Sequence, residues 1–464
     1  MTSSQSYNLH PMDDTTRIHL TSLSKDQLLD LLQNLYGRDA GIDREIELYA
    51  ARVAPMEHIQ ELRKTLQSWK RSRRFVGYHE SFDFSHQVDD VAREVEAVVE
   101  SGDPKTALEL AELFLKTGNR VTERADDSAG AIFDSLRVGC RLWLRAARRY
   151  RESGVEGNWL ARVQKLMKDN PNGLLDNLLP QADLLLAEDE LRELARRYEE
   201  EERQAQPDET GWRWHTAAVH LGSLAWALRD PEVYADSIRL RSPEPNELQK
   251  ADIVRCYLKL EQPEGALRWL EGSWERNEVE RLELLAEAYE ALGREEDRVT
   301  TRRKIWKIDP RRSTLQALAA LLPADDQAQL QDEAVVRAQT MRSLPSALSL
   351  LLHIDEGEKA EQLLVRRYQE LEGRQYTYLL DLADRLRSEE HHLAATLLYR
   401  ALLDSILQRG TTRAYGHGAR YLRTLGELAP QVKDWCSIPD HDAYLEALRE
   451  HHGRKYSFWK RVES

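Results

Sequence analysis

Apolar residues recur at steps of three and four along almost the whole chain, and the alternation that a half-buried strand needs is hard to find. A side chain returns to one face of an α-helix about every 3.6 residues, so this rhythm calls for helices that each bury one stripe. The stretch "SLSKDQLLDLLQNLYG" shows the pattern: Ser24 is placed to cap a helix, Leu28, Leu31, Leu32 and Leu35 form the expected buried stripe, and Gly37 is a natural stop. Composition agrees. Only 22 Gly and 15 Pro interrupt 464 residues, while Ala, Leu, Glu, Arg and Gln, which keep most of their rotamer freedom on a helix, dominate. The expected fold class is all-α.

The helices come in pairs. From Ile253 the chain reads I-V-x-x-Y, and Ala266 and Leu270 follow Tyr257 where two helices of a hairpin touch, a tetratricopeptide-like spacing. Leu285, Ala286, Tyr289, Gly293 and Pro310 repeat much of it, and Leu382, Ala383, Leu386, Ala395 and Tyr399 give a third copy. Ala107, Ala111 and Phe114 resemble the second helix of a further pair. Because the copies are degenerate, the expected architecture is an irregular α-solenoid of stacked helix–turn–helix repeats, each stable only against its neighbours. The expected division is a disordered N-terminal tail over 1–20, an N-terminal helical half over 21–205, a linker or long loop at 206–212, tetratricopeptide-like repeats over 213–440, and a capping helix with an aromatic tail over 441–464.

Net charge is −14 with 31% charged residues, an average field that repels nucleic acid and anionic membrane unless local basic patches override it. Cys140, Cys256 and Cys436 form no C-x-x-C pair, so neither a disulfide framework nor a thiolate zinc site is expected, and a reducing cytoplasm fits. No basic-then-apolar leader opens the chain, and no run of about 18 apolar residues predicts a membrane span. A Gly-rich phosphate cradle, a G-x-S-x-G elbow and an H-E-x-x-H motif are all missing, so no catalytic residues, cofactor or metal are assigned.

Two basic segments are candidate binding sites. In "DSLRVGCRLWLRAARRYRES", Leu136, Cys140, Trp143, Ala147 and Tyr150 make an apolar seam, and Arg137, Arg141, Arg145 and Arg148 run beside it, four guanidinium groups suited to phosphate or an acidic peptide unless glutamates of the next helix take them. In "LRKTLQSWKRSRRFVGY", Arg63, Lys64, Lys70, Arg71, Arg73 and Arg74 are interleaved with Trp69, Phe75 and Tyr78, which are either stacking platforms or core contacts. A third basic stretch, 300–312, lies at a helix end, where cations favourably meet the dipole. The acidic segment "TERADDSAG" could hold a divalent cation, but Asp126, Asp127 or Ser128 is better placed to cap the following helix. At the C-terminus, Asp440 caps a final helix with Tyr444, Leu445 and Leu448 inward, Gly453 ends it, and cationic charge at His451 and His452 is favoured in the last turn. Tyr456, Phe458 and Trp459 are then expected to cover the last repeat.

The blocks "SRRFVGY", "ERADDSAG", "LAATLLYRALLDSIL", "RAYGHGARYL" and "HDAYLEALREHHGRKYSFW" resemble successive parts of a bacterial family of unknown function, whose helical repeats are similar to the C-terminal part of SWIM-type zinc-finger proteins. The SWIM cysteine/histidine module is missing, so the resemblance implies no zinc, and "DNPNGLLDN" stands where an Asp-x-Tyr-Gly-type turn is expected. What the resemblance implies is an α-solenoid in a bacterial cytoplasm. The function expected is a non-catalytic protein- or peptide-binding scaffold, and the alternative is a nucleic-acid-associated protein that uses Arg71, Arg73, Arg74, Arg137, Arg141, Arg145 and Arg148. A third option, a helical ribonuclease resembling the HEPN group, rests on Arg74 with His79 and Arg387 with His392, pairs that chance supplies in so arginine-rich a chain.

Overall fold

Wherever the helical rhythm runs, the backbone follows it. The computed structural model describes residues 14–38, 42, 43, 46, 56–170, 172–206 and 215–463, and among them there is no strand, only an isolated parallel bridge between Val76 and Ala125. The chain forms two compact units, Met1–Pro245 and Asn246–Ser464. Of the segment 206–212 only Gln206 is among the described residues, and of the expected tail residues 1–13 lie outside them.

The first unit begins with α1 (Asp14–Thr21) and α2 (Lys25–Leu35). Ser24 caps α2 through a reciprocal pair of hydrogen bonds with Gln27. The leucine stripe of α2 is not buried: Leu28, Leu31 and Leu32 are 36%, 39% and 42% exposed. Helical spacing states which residues share a face, and cannot state whether another element lies against it.

Four long helices follow: α3 (Met56–Arg71), α4 (Tyr78–Ser101), α5 (Pro104–Thr122) and α6 (Ala131–Glu152). Their core holds Leu66, Val88, Val95, Leu110, Phe114, Ile132 and the α6 seam of Leu136, Cys140, Trp143 and Ala147, while Tyr150, the last of that seam, is half-buried with its ring edge-on to Trp159. Gly139 lets α6 approach α5, since a Cβ there would stand 2.9 Å from the Phe114 ring. Burial pushes the Cys140 thiol up to about 12, so it is an inert core residue. The unit continues through α7 (Trp159–Lys168), a 3₁₀ turn (Leu179–Leu184), α8 (Glu188–Gln204), α9 (Thr216–Leu228) and α10 (Pro231–Arg241).

The second unit is a succession of hairpins. α11 (Glu247–Lys259) pairs with α12 (Pro263–Leu267), which tightens into a 3₁₀ turn, Arg268–Leu270, and α13 (Glu278–Ala291) pairs with α14 (Glu295–Ile308). α15 (Arg312–Ala319) and α16 (Ala324–Thr340) follow, then α17 (Leu344–His353) with α18 (Gly357–Arg367) and α19 (Tyr376–Ser388) with α20 (His392–Arg409). α21 (Tyr415–Leu428), α22 (His441–His452) and α23 (Tyr456–Glu463) close the unit.

One turn is used repeatedly. In the α11–α12 turn Gln262 donates its N–H to the Tyr257 carbonyl at 2.9 Å, and Arg294 to Tyr289, Glu356 to Leu351 and His391 to Leu386 do the same at 2.9, 3.0 and 2.9 Å. Asp230 repeats the bond to Ala225 at 2.9 Å between α9 and α10 of the first unit. Each turn carries one residue at positive φ: Arg229, Glu261, Gly293, Asp355 and Glu390. Inside the hairpins the small residues sit where expected, with Ala266, Ala286, Ala383 and Ala395 fully buried and Tyr257 and Tyr399 each 3% exposed, although Leu285 and Tyr289 are only half-buried.

Candidate functional site

The first basic segment is built by two anchors. Val76, 6% exposed, accepts from the Asp126 N–H at 2.9 Å and donates to the Arg124 carbonyl at 3.0 Å, which fixes residues 72–77 as an extended link between α3 and α4. The Arg124 guanidinium then donates to the carbonyl of Arg74 at 2.7 Å and to that of Trp69 at 3.2 Å. Burial, with the Arg74 charge close by, holds Arg124 below the ordinary guanidinium value. Two blocks some fifty residues apart in sequence are thus one structural feature, a link that sequence spacing alone does not show.

On this frame Lys70, Arg71, Arg73 and Arg74 are exposed. Arg74 pairs with Glu80 at 2.7 Å and Arg63 with Glu109 at 2.5 Å, whereas Lys70, Arg71 and Arg73 make no ion pair with a described residue. Of the interleaved rings only Trp69 packs inward, 5.1 Å from Phe84. The core-contact expectation fails for Phe75 and Tyr78, which are 60% and 44% exposed. The acidic block caps α6: Asp127 accepts from the N–H groups of Ile132 at 3.1 Å and Phe133 at 2.7 Å, and Asp126 accepts from the Ser128 hydroxyl at 2.5 Å. Among the described residues no group of three or more His, Cys, Asp or Glu side chains could hold a metal ion.

The second basic segment is engaged by its own unit. Arg145 donates to Glu96 and Glu100 at 3.0 Å each, Arg141 lies 3.7 Å from Glu96, and Arg148 pairs with Glu152 at 2.8 Å. Arg137 donates to Asn177 at 3.0 Å, lies 3.6 Å from Asp134 and covers the Phe133 ring. The third stretch is similar, with Arg302 on Glu283, Arg303 3.8 Å from Asp326, and Arg311 on Asp309. In the two Arg/His pairs, Arg74 is held by Glu80 and Arg387 by Glu427 at 3.1 Å.

In the second unit a cleft of about 600 Å³ opens along one face of α20. Leu397, Arg400, Ala401, Asp404, Ser405 and Gln408 form its floor, at the three- and four-residue steps that put them on one side of the helix. Arg400, 6% exposed, donates to the carbonyls of Pro439 at 2.7 Å and Asp440 at 3.0 Å, and lies under the Tyr444 ring 4.3 Å from its centroid. The Tyr444 hydroxyl donates to Asp404 at 2.7 Å. Burial raises the Asp404 carboxyl above the ordinary value and outweighs the opposing influence of Tyr444 and Arg400. Nothing in the sequence marked this trio, because α20 reads as an apolar helix and its partners, Tyr444 on α22 and the carbonyls of Pro439 and Asp440 just before it, come about forty residues on.

The capping helix is α22, and the aromatic tail expected after it is itself helical, as α23. Asp440 caps α22, accepting from the Ala443 N–H at 2.9 Å, but Gly453 keeps right-handed helical geometry. Phe458 is fully buried, edge-on to Tyr415, Trp459 is half-buried, and Tyr456 is 79% exposed, so it covers nothing. His452 also departs from expectation: burial, with Lys455 and His451 beside it, holds it below the usual histidine value and disfavours its cation. No helix among the described residues is long and apolar enough to cross a membrane.

No curated protein and no solved structure matches the chain. The model of a family of unknown function, DUF6880, matches residues 16–461. With that match spanning nearly the whole length, the chain belongs to this family of unknown function.

Proposed function

We propose that this protein is a non-catalytic scaffold, an irregular α-solenoid of tetratricopeptide-like hairpins that holds a protein or peptide partner in a bacterial cytoplasm. The observation that carries this is the turn shared by five hairpins, in which one positive-φ residue and one hydrogen bond back to the preceding helix fold two helices against each other. A unit that recurs in this way buries its faces on its neighbours and leaves an extended surface for a partner. The cleft along α20 suits a peptide, because its polar groups Asp404, Ser405 and Gln408 line one side of a regular helix and Gln369 lines the cleft from another segment. The kinship to SWIM-associated repeats belongs to the same proposal.

The test is affinity purification of the tagged full chain from its native host, followed by reconstitution of any candidate complex from purified components. A partner that binds the purified protein and is lost when Asp404 and Gln408 are both replaced by Lys supports the scaffold. Turnover of a small molecule by the isolated protein, or failure of every reconstitution, sinks it.

A further inference from the structure

In its first turns helix α4 places two serines inward and two rings, Tyr78 and Phe82, outward, while a third ring, Phe84, packs on the core. Ser81 and Ser85 are 0% and 6% exposed, with hydroxyls bonded back to the Tyr78 and Phe82 carbonyls, whereas Tyr78 and Phe82 are 44% and 46% exposed. Burying a ring is worth on the order of 2 kcal/mol, so stability alone favours the opposite arrangement. Tyr78 stands edge-on to Phe82 at 6.1 Å, and Phe75, three residues before Tyr78, is a further exposed ring at 60%. Clustered exposed rings mark a surface made for contact.

Cations flank these rings. Lys70, Arg71 and Arg73 are exposed and carry their charges toward solvent, and Arg74 adds a fourth charge shared with Glu80. Nearby carboxylates are mostly engaged: Glu123 by Arg120 at 2.8 Å, Asp126 by Ser128, and Asp127 by the start of α6. Asp83 stays exposed on α4.

We propose that residues 70–82 form a binding site for single-stranded nucleic acid, with Lys70, Arg71 and Arg73 neutralising phosphates and Phe75, Tyr78 and Phe82 stacking against bases. Cations that follow a backbone beside open ring faces are what sequence-tolerant single-strand binders use. An acidic peptide would engage the cations but gives no role to three rings. A flat anionic bilayer would meet the field of a protein of net charge −14 over a wide area, whereas a narrow strand meets it over a small one. This association is additional to partner binding on the hairpins and stands independently of it.

The experiment is fluorescence anisotropy of the full chain with labelled oligouridylate and oligodeoxythymidylate of about 20 nucleotides, a duplex of the same length, and oligoglutamate as competitor. Single strands should bind, with log affinity falling against log salt at a slope of about −2, and Arg71→Ser with Arg73→Ser should reduce that slope by about 1.4. Replacing Phe75, Tyr78 and Phe82 together by Ala should weaken binding at least about tenfold at unchanged slope. Because Phe75 lies outside any helix, Phe75→Ala alone serves if the triple variant melts early. The proposal is overturned by no binding at low salt, equal affinity for duplex, indifference to ring removal, equal competition by oligoglutamate, or preference for phosphatidylserine vesicles in a sedimentation assay.

Discussion

The guanidinium of Arg124 donates to the backbone carbonyl of Arg74 at 2.7 Å, so one arginine holds the chain that displays another. Its second bond, to the Trp69 carbonyl at 3.2 Å, satisfies an acceptor in the last turn of α3 that the helix itself leaves open.

Arg124→Gln should therefore destabilise the first unit by about 2 kcal/mol, the typical worth of hydrogen bonds from a charged donor. Arg124→Lys should restore little, since one ammonium cannot serve two separated carbonyls in the fork geometry of a guanidinium. Urea unfolding followed by circular dichroism measures both; equal stability of Arg124→Gln and the parent would show that the clamp contributes nothing.

Gly265 lets α12 lie directly on Tyr257, because a Cβ there would be 2.7 Å from Cδ1 of a ring that is 3% exposed. Gly265→Ala should cost about 1–3 kcal/mol through overpacking, and pairing it with Tyr257→Leu should recover part of the loss. Additive losses in the double variant would contradict this contact.

At the C-terminus the rings divide by burial. Phe458→Ala should cost about 3–5 kcal/mol and Tyr456→Ala less than about 0.5. Deleting residues 454–464 should lower the melting temperature as Phe458→Ala does. An unchanged melt after deletion would mark the segment as a tail with no part in the fold.

Asp404 makes stability pH-dependent. Its folded pKa is raised, so its contribution is fully present below the ordinary value of 3.8 and is lost as pH rises through the raised value. Asp404→Asn removes that loss while its amide oxygen still accepts from Tyr444. The difference in unfolding free energy, variant minus parent, should grow as pH rises from about 4 and then level off. A difference that shrinks over that range would mean that the carboxylate is favoured in the folded state.

The hairpin turns show how far sequence carries. Gly293 is recognisable because glycine takes positive φ without a steric cost, but the same turn at Arg229, Glu261, Asp355 and Glu390 has no such sign. There the packing of the two helices compels an ordinary residue into a conformation that costs roughly 1 kcal/mol. Likewise the arginines of 137–148 were visible as a ridge, while Glu96 and Glu100, which hold Arg145, come from a helix some fifty residues earlier.

The sequence by itself determined the helices, most of the small and apolar residues inside their hairpins, and the caps at Ser24 and Asp440. These depend on contacts within about four residues, which a chain states locally. Only the tertiary structure decided which faces are covered: it left the Leu28–Leu32 stripe and the Phe75, Tyr78 and Phe82 rings outside, paired the 137–148 arginines, and assembled Arg400, Asp404 and Tyr444. Burial and charge pairing depend on which distant element arrives at a face, and one-dimensional spacing carries no record of that arrival.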